Sequence, residues 1–581
     1  MSWILGIISD QISSDLIQII SKIHPPSIHH FQSNQIYLAS GEISDMCLTG
    51  SFSINPKSVE SGWMTVGLGI ERKEASCRFL KASDWQTLLS KQKPDLSYID
   101  GHFVAIRWQN GMVECFSDQF GLRTLYISRL ANSVIFTTRL DWVALITGKS
   151  EIDFEQFGSH WLTFNQLSYG CLVKGIQRLG PGGVAICKPT SIEIHNTLWL
   201  PNFSPEDSPP LEQTLTSLLN PEIENSHVLS LGLSGGLDSR LLLACLLAKS
   251  KKRFSLHLFG HSDEPDVRVA QQIANDYHLD QHFFPESIPK IGTNLIVLRE
   301  YIAKTCLTTP ASSWLKLRFY PELNRMNRIM IDGGMGEIAR RQFLNRIYWK
   351  GRRKLLHDSP VEIFPYIQSH RASIFNSETI DVMRRGINQQ LISMRDEMPP
   401  VDKIGVEIFL DLLIVRYRFP NYAGMDQSRI DEEIVNYMPF AQPSFVQAAF
   451  RTPVQIKRGG KLFRKFIHTL QPALTNYPLV KGMTTYPYRF STVPASLYTK
   501  AKAAIGFQFH NPIRQEFLLS LKEYINDLIV SSEVKNFPAY NQNALQNMVK
   551  GYFGGNKNLA GELDWWISFE LWRQSICQFK S

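Results

Sequence analysis

Through the first 200 residues the apolar positions come in short runs, several alternating with polar ones, and turn residues separate the runs at hairpin spacing. The segments Trp3–Ile8, Trp63–Ile70, Phe103–Trp108, Met112–Ser117, Leu125–Ser128, Val134–Thr138 and Gly183–Cys187 read as strands. The polar, proline-containing stretch PNFSPEDSPP at 201–210 ends this regime and reads as a boundary. Beyond it the pattern predicts a strand over 227–233, a helix over 239–249, a strand over 254–259, a helix over 265–277 and a strand over 328–331. That alternation predicts an α/β unit with a parallel sheet. From about 355 to 581 the chain reads mostly helical, with aromatic and proline interruptions. At 581 residues the chain is too long for one ordinary core, so two domains are expected, 1–200 and 211–581.

Composition narrows the classes. Hydrophobic residues are 44% and charged residues 20%, as in a soluble globular protein. A net charge of +8 is mild for this length, and the basic clusters Arg340-Arg341, Arg352-Arg353-Lys354 and Arg384-Arg385 are scattered. They read as solvated faces rather than a nucleic-acid stripe, although a basic groove for an acidic substrate stays open. The eight cysteines show no CxxC spacing and read as buried thiols of a reducing compartment. No run approaches ~18 apolar residues, and the start MSWILGIISD has no signal-peptide character. A cytoplasmic protein with no nucleic-acid or membrane partner is expected.

The most informative stretch is Leu233-Ser234-Gly235-Gly236-Leu237-Asp238-Ser239. A buried strand, a glycine turn and a helix make a phosphate-binding element. The two glycines let backbone N–H groups close on an anion, Ser234 and Ser239 add hydroxyls, and the helix N-terminus adds partial positive charge. Asp238 would repel a phosphate unless a divalent cation lay between them, so the motif reads as a site for nucleotide phosphates with Mg²⁺. It is not the Walker loop, which needs GxxxxGK[ST]. A second strand-to-glycine-loop element, Ile329 to Glu337, carries Asp332, Gly333, Gly334 and Gly336.

SGGLDS resembles the pyrophosphate loop of the ATP pyrophosphatases, and the chain as a whole resembles the asparagine synthetase B family, which includes β-lactam synthetases and lasso-peptide cyclases. In the first half, Asp100-Gly101-His102-Phe103 is similar to that family's DGxF turn, and Asp118 to Tyr126 to its DRxGxxPLYY hairpin. Ile152-Asp153 and Gly175 to Gly182 match its later elements. In the second half, Phe254 to Gly260 with Asp266 resembles its second strand and following helix, Ile329 to Glu337 its LSGEGSDE loop, Met438-Pro439-Phe440 its VPF turn, Lys461 to Arg464 its KxxLR segment, and Pro478 to Met483 the region of its catalytic lysine.

The resemblance implies an α+β then α/β chain. Its first part would be an αββα N-terminal-nucleophile glutaminase-like sandwich. Its second would be an ATP-pyrophosphatase domain of the adenine nucleotide alpha hydrolase type, with a mostly helical C-terminal part. It also implies that residues 233–239, Phe259, Asp332 and Gly333 bind ATP and pyrophosphate. Asp238 and Glu337 would hold Mg²⁺, and Lys461 and Lys481 would be catalytic. Two positions depart from the pattern. Ser2 stands where the glutaminase nucleophile would be a cysteine, and Gly334 replaces the catalytic glutamate. The glutaminase is therefore expected to be inactive.

The implied activity is an AMP-forming carbon–nitrogen ligase. A small-molecule or peptide carboxylate attacks the α-phosphate of ATP, and an amine or ammonia then attacks the acyl-adenylate. Asparagine synthesis is the family default. A specialised amidoligase or macrolactam cyclase, in natural-product or polysaccharide biosynthesis, and a non-catalytic nucleotide-binding homologue are the alternatives. A homodimer is an open possibility for the assembly.

Overall fold

The structure is a computed structural model. It describes residues 2–52, 61–202, 210–224, 226–249, 253–288, 291–317, 319–356 and 359–577. Most of the expected boundary stretch, residues 203–209, lies outside the described residues, as does Met1.

Two antiparallel sheets build the first part. In the first, strand β1 (Ser2–Ser9) lies between Ser133–Thr137 and Ile36–Glu42. In the second, Gly62–Arg72 and Asp100–Gln109 form the centre. The run Trp3–Ile8 is apolar throughout because β1 is buried on both faces. Ile4 and Ile8 point into the core between the sheets, with Val104, Ile106 and Phe136. Trp3, Leu5 and Ile7 point the other way, toward Trp142, Val143 and Ile146 of the helix Leu140–Thr147. On the far side, Trp85, Leu88 and Leu89 of the helix Ala82–Leu89 cover Trp63, Phe103 and Ala105. The result is a helix–sheet–sheet–helix stack.

The second part is a five-stranded parallel sheet, in the order β4-β3-β2-β5-β6. Here β2 is Val228–Gly232, β3 Phe254–Gly260, β4 Gln281–Pro285, β5 Arg328–Ile331 and β6 Asn436–Tyr437. Helix α1 (Leu237–Lys249) follows β2 and α2 (Pro265–Asp276) follows β3. Helix α1 is apolar nearly all round (LLLACLL) because most of its length lies inside, with Leu241 to Leu246 buried. Helices account for nearly all regular structure beyond residue 355, among them α3 (Lys461–Leu470) and α4 (Thr492–Ala504).

The two parts share a core, in which Leu68, Ile70, Phe120 and Leu122 pack with the residues of β2 and α1. Polar contacts stitch the same seam. The Asp100 carboxylate accepts from Ser444 N at 2.8 Å and Ser444 Oγ at 2.5 Å, and Gly101 N donates to Gln442 Oε1 at 2.6 Å. Among the described residues no helix is long and apolar enough to cross a membrane. Seven of the eight free cysteines are buried, as expected of structural thiols.

Candidate functional site

In a parallel sheet, ligands bind beyond the carboxyl ends of the strands, where the winding direction reverses. Here the chain winds outward from β2 to β3 to β4, then returns to place β5 on the other side of β2. The reversal falls between β2 and β5, and the loops leaving those two strands are 233–239 and 332–337. They touch. A Cβ on Gly333 would stand 3.2 Å from Ser239 N, and one on Gly336 would stand 2.6 Å from the Asp238 carboxylate. Glycine at both positions is what lets the loops close on each other.

The 233–239 loop is partly self-satisfied. Ser234 N donates to Ser239 Oγ at 3.2 Å and Gly236 N to Ser234 Oγ at 3.2 Å, and the two hydroxyls lie 3.0 Å apart. Gly235 N donates to Asp266 Oδ1 at 2.9 Å, which ties the loop to α2. An anion would therefore be met by the first-turn amides of α1, from Leu237 to Ser239, which have no helical acceptor of their own. Leu233 and Leu237 are buried and hold the loop from below.

Asp238 is the charged centre. Arg340 Nη2 donates to its Oδ2 at 2.6 Å, while Oδ1 is buried without a hydrogen-bond partner. Burial raises this carboxyl to about 7. Arg340 opposes the rise, and repulsion from Glu337 and Asp332 adds to it. Glu337 itself faces Arg418 at 3.5 Å, and the Arg418 guanidinium is sandwiched between the rings of Phe343 (4.4 Å) and Tyr422 (4.2 Å). Asp332 is spent on its own loop, accepting from Gly334 N at 2.6 Å, and burial raises its carboxyl as well. A Cβ at Gly334 would stand 2.9 Å from Met438 Sδ, so a side chain there would require the methionine to move.

These residues can receive Mg²⁺ carried on phosphates. The unpartnered Asp238 oxygen is a ready ligand and Glu337 lies close enough to repel it, leaving phosphate oxygens and water to complete the shell. No group of three or more His, Cys, Asp or Glu that could hold a metal without such a ligand occurs among the described residues.

The two lysines take different places. Lys481 sits at the turn of the small hairpin Leu479–Val480/Thr485–Tyr486, directly after Val480, whose N donates to Gly235 O at 3.0 Å. Lys461 opens α3 right after Gly460, where a Cβ would stand 2.8 Å from Leu237 Cδ2. Both side chains are exposed. Phe259 is in core packing, its ring stacked with Phe284 and Phe319 at centroid distances of 5.4 and 5.7 Å.

Arginines carry what the sequence reading passed over. Arg340 and Arg341 do not form a solvated face. Arg340 holds Asp238, and Arg341 is buried 3.5 Å from Asp411. The available signal was their position, three and four residues after Glu337. Arg352, Arg353, Arg384 and Arg385 are exposed, as a solvated face requires. Arg240 is fully buried and donates to the carbonyls of Tyr477 (2.8 Å), Pro478 (2.7 Å), Leu474 (3.4 Å) and Gly235 (3.5 Å). It is a clamp that fixes the segment leading to Lys481.

Ser2 is buried at the start of β1. Arg123 Nη2 donates to its carbonyl at 2.5 Å and lies 3.3 Å from its Oγ. Arg123 is in turn paired with Asp431 at 3.2 Å, which also meets His102 Nε2 at 3.0 Å, Gln427 Nε2 at 2.7 Å and Asn436 Nδ2 at 2.9 Å. Cys47, the first cysteine in the chain, is buried nearby. Burial pushes its thiol up to about 12, so it is not a thiolate.

No protein-family model matches this chain, and no curated protein sequence matches it. Among solved structures it is similar to the glutamine phosphoribosylpyrophosphate amidotransferase of B. subtilis in complex with ADP and GMP. That likeness has 8% identity and a TM-score of 0.23, and covers 57% of this chain and 81% of that one. It is also similar to an allosteric regulatory enzyme of purine biosynthesis, at 10% identity and a TM-score of 0.21, covering 61% of this chain and 72% of that one. Likenesses this slight assign no activity.

Proposed function

We propose that this chain is an ATP-dependent ligase that activates a carboxylate as an acyl-adenylate and passes it to an amine. The observation that carries the reading is the placement of the SGGLDS loop. It lies at the reversal point of a parallel sheet, against a second glycine loop, with one oxygen of Asp238 buried and unpartnered.

In this reading the first-turn amides of α1 and the Ser234 and Ser239 hydroxyls bind the β- and γ-phosphates. Arg340 orients Asp238. Asp238 and Glu337 would hold Mg²⁺, which, when bound, supplies charge neutralisation on the phosphates. The substrate carboxylate attacks the α-phosphorus and the bond to the β-phosphate bridging oxygen breaks, releasing pyrophosphate. An amine nitrogen then attacks the acyl carbon, loses a proton and expels AMP. Lys481, held beside Gly235 by the Val480 contact, supplies positive charge as the leaving groups depart.

The buried Arg123–Asp431 network around Ser2 supports a first half that serves as a structural partner, with the amine arriving from solvent or from the substrate itself. A non-catalytic nucleotide-binding chain is the second reading. It is favoured by the internal pairing of the Ser234, Gly235 and Gly236 amides.

Acid-dependent exchange of pyrophosphate into ATP separates the two. The ligase reading expects exchange that falls more than 100-fold in Asp238→Ala, with the circular dichroism unchanged. Exchange that survives in that variant would remove Asp238 from the metal site. A chain that binds Mg·ATP but shows no exchange with any acid would favour the non-catalytic reading.

A further inference from the structure

Two side chains, Arg340 and Gln342, link Asp238 to a cleft of 220 Å³. That is far more than the ~10–15 Å³ a single water needs. The link is a relay of hydrogen bonds. Arg340 bonds Asp238 with one nitrogen and Gln342 Oε1 with another, and Gln342 Nε2 donates to Thr492 Oγ1 at 2.9 Å, at the start of α4. Lys461 lines the cleft and, among the described residues, makes no ion pair. The one carboxylate in its lining, Glu407, is already paired with Arg458. The free charge facing the cleft is therefore positive.

The lining also holds the polar Asn345, Ser491 and Thr492, and two apolar residues that are uncovered. Trp349 is 69% exposed, its ring edge-on to Tyr348 at 4.9 Å, and Val493, in the same lining, is 64% exposed. An exposed tryptophan beside a polar cleft is a binding surface waiting for a flat or branched apolar group.

The backbone that presents it is unusual. Three non-glycine residues, Met335, Arg341 and Leu344, have φ of 68°, 49° and 50°, and residues Ile347–Gly351 form a π-helical turn. Such features cost stability and gather at functional sites.

We propose that this cleft holds the substrate to be activated, a carboxylic acid whose acyl chain carries an aromatic or branched aliphatic group. The carboxylate would lie toward Lys461 and the Gln342 relay, and the apolar group would pack against Trp349 and Val493. The inference deepens the ligase reading and rests on it for the carboxylate's fate. The chemistry selects against aspartate, whose second carboxylate has no second free cation among the described lining residues and nothing to offer Trp349.

The test is calorimetric titration of the full chain with N-acetylphenylalanine and N-acetylaspartate, each with and without a non-hydrolysable ATP analogue and Mg²⁺. The expected result is binding of N-acetylphenylalanine at least 10-fold tighter than N-acetylaspartate. Trp349→Ala should weaken it at least 10-fold and Lys461→Gln at least 5-fold, with unchanged circular dichroism. Equal or reversed preference, no binding of either acid, or an unaltered Trp349→Ala variant would overturn the proposal. Parallel titration with Mg·ATP keeps the two claims apart. If Mg·ATP does not bind but N-acetylphenylalanine binds through Trp349, the ligase reading falls and the cleft stands as an acid site. If Mg·ATP binds through Asp238 and neither acid binds, the cleft assignment falls alone.

Discussion

Arg240 shows how much one side chain can carry without touching a ligand. Its guanidinium is buried, and it closes on four carbonyls from two segments, reinforcing the Val480–Gly235 bond between them. Charge-assisted hydrogen bonds of this kind contribute about 1.5–3 kcal/mol each. Removing the guanidinium also leaves buried carbonyls unsatisfied. Arg240→Met, which keeps the stem and loses the donors, should cost roughly 3 kcal/mol of stability in denaturant unfolding. Mg·ATP binding should fall with it, because the clamp positions the Lys481 hairpin. The sequence could not reveal this role. Position 240 lies in a helix whose every face is buried, so no periodicity marks which partner an arginine there would find. The meeting of Asp238 with the second glycine loop was partly legible, because the spacing of SGGLDS between strand and helix marks a tight turn at the strand's carboxyl end. Phe259 was less so, since an aromatic at the end of a buried strand looks the same whether it stacks on a base or on Phe284 and Phe319.

At the scale of elements, long apolar patterns were legible and short pairings were not. The segments 227–233, 254–259 and 328–331 appear as β2, β3 and β5, and the helix expected over 239–249 begins at Leu237. The edge strands β4 and β6 are absent from the sequence reading. β6 is two residues long and enters the sheet about a hundred residues after β5, so only tertiary pairing defines it. The hairpin at 479–486 is of the same kind, held by its contact with the 233–239 loop. That contact makes a test. A Cβ at Gly235 would stand 2.3 Å from Val480 Cγ2, so Gly235→Ala should push the hairpin away and reduce pyrophosphate exchange at least 10-fold. The Val480 Cβ would itself stand 2.9 Å from the new methyl, so it is Gly235→Ala with Val480→Gly that should recover most of the loss. A double variant no better than the single would mean that the loop, and not the hairpin, bears the damage.

Across the whole molecule, the two parts predicted from the change of pattern at 201–210 are joined by one core and by a polar seam. Both parts contribute to both. The sequence marks where the pattern changes, but a seam made of Asp100 with Ser444 and Arg123 with Asp431 joins residues more than three hundred positions apart, and nothing local announces it.

The seam should respond to pH. Burial raises the Asp100 carboxyl to about 6, with Ser444 and Arg72 opposing, against 3.8 for the ordinary group. A raised carboxyl favours the folded state while it is protonated. Its contribution is full below about pH 4 and is lost as pH rises through 6. The difference corresponds to roughly 3 kcal/mol. The melting temperature of the native chain relative to Asp100→Asn should therefore fall between pH 4 and 6.5 and level off above. A constant difference would mean that Asp100 keeps its ordinary acidity inside the seam.

The central claim is that the reversal point between β2 and β5 receives the triphosphate of ATP. Equilibrium binding of Mg·ATP, compared with AMP, to the native chain and to Asp238→Ala tests it most directly, because it needs no knowledge of the acid or the amine. The account predicts Mg·ATP binding well above that of AMP, weakened at least 10-fold by Asp238→Ala in a chain that still folds. Binding of Mg·ATP that is absent, no stronger than that of AMP, or indifferent to Asp238 would contradict it.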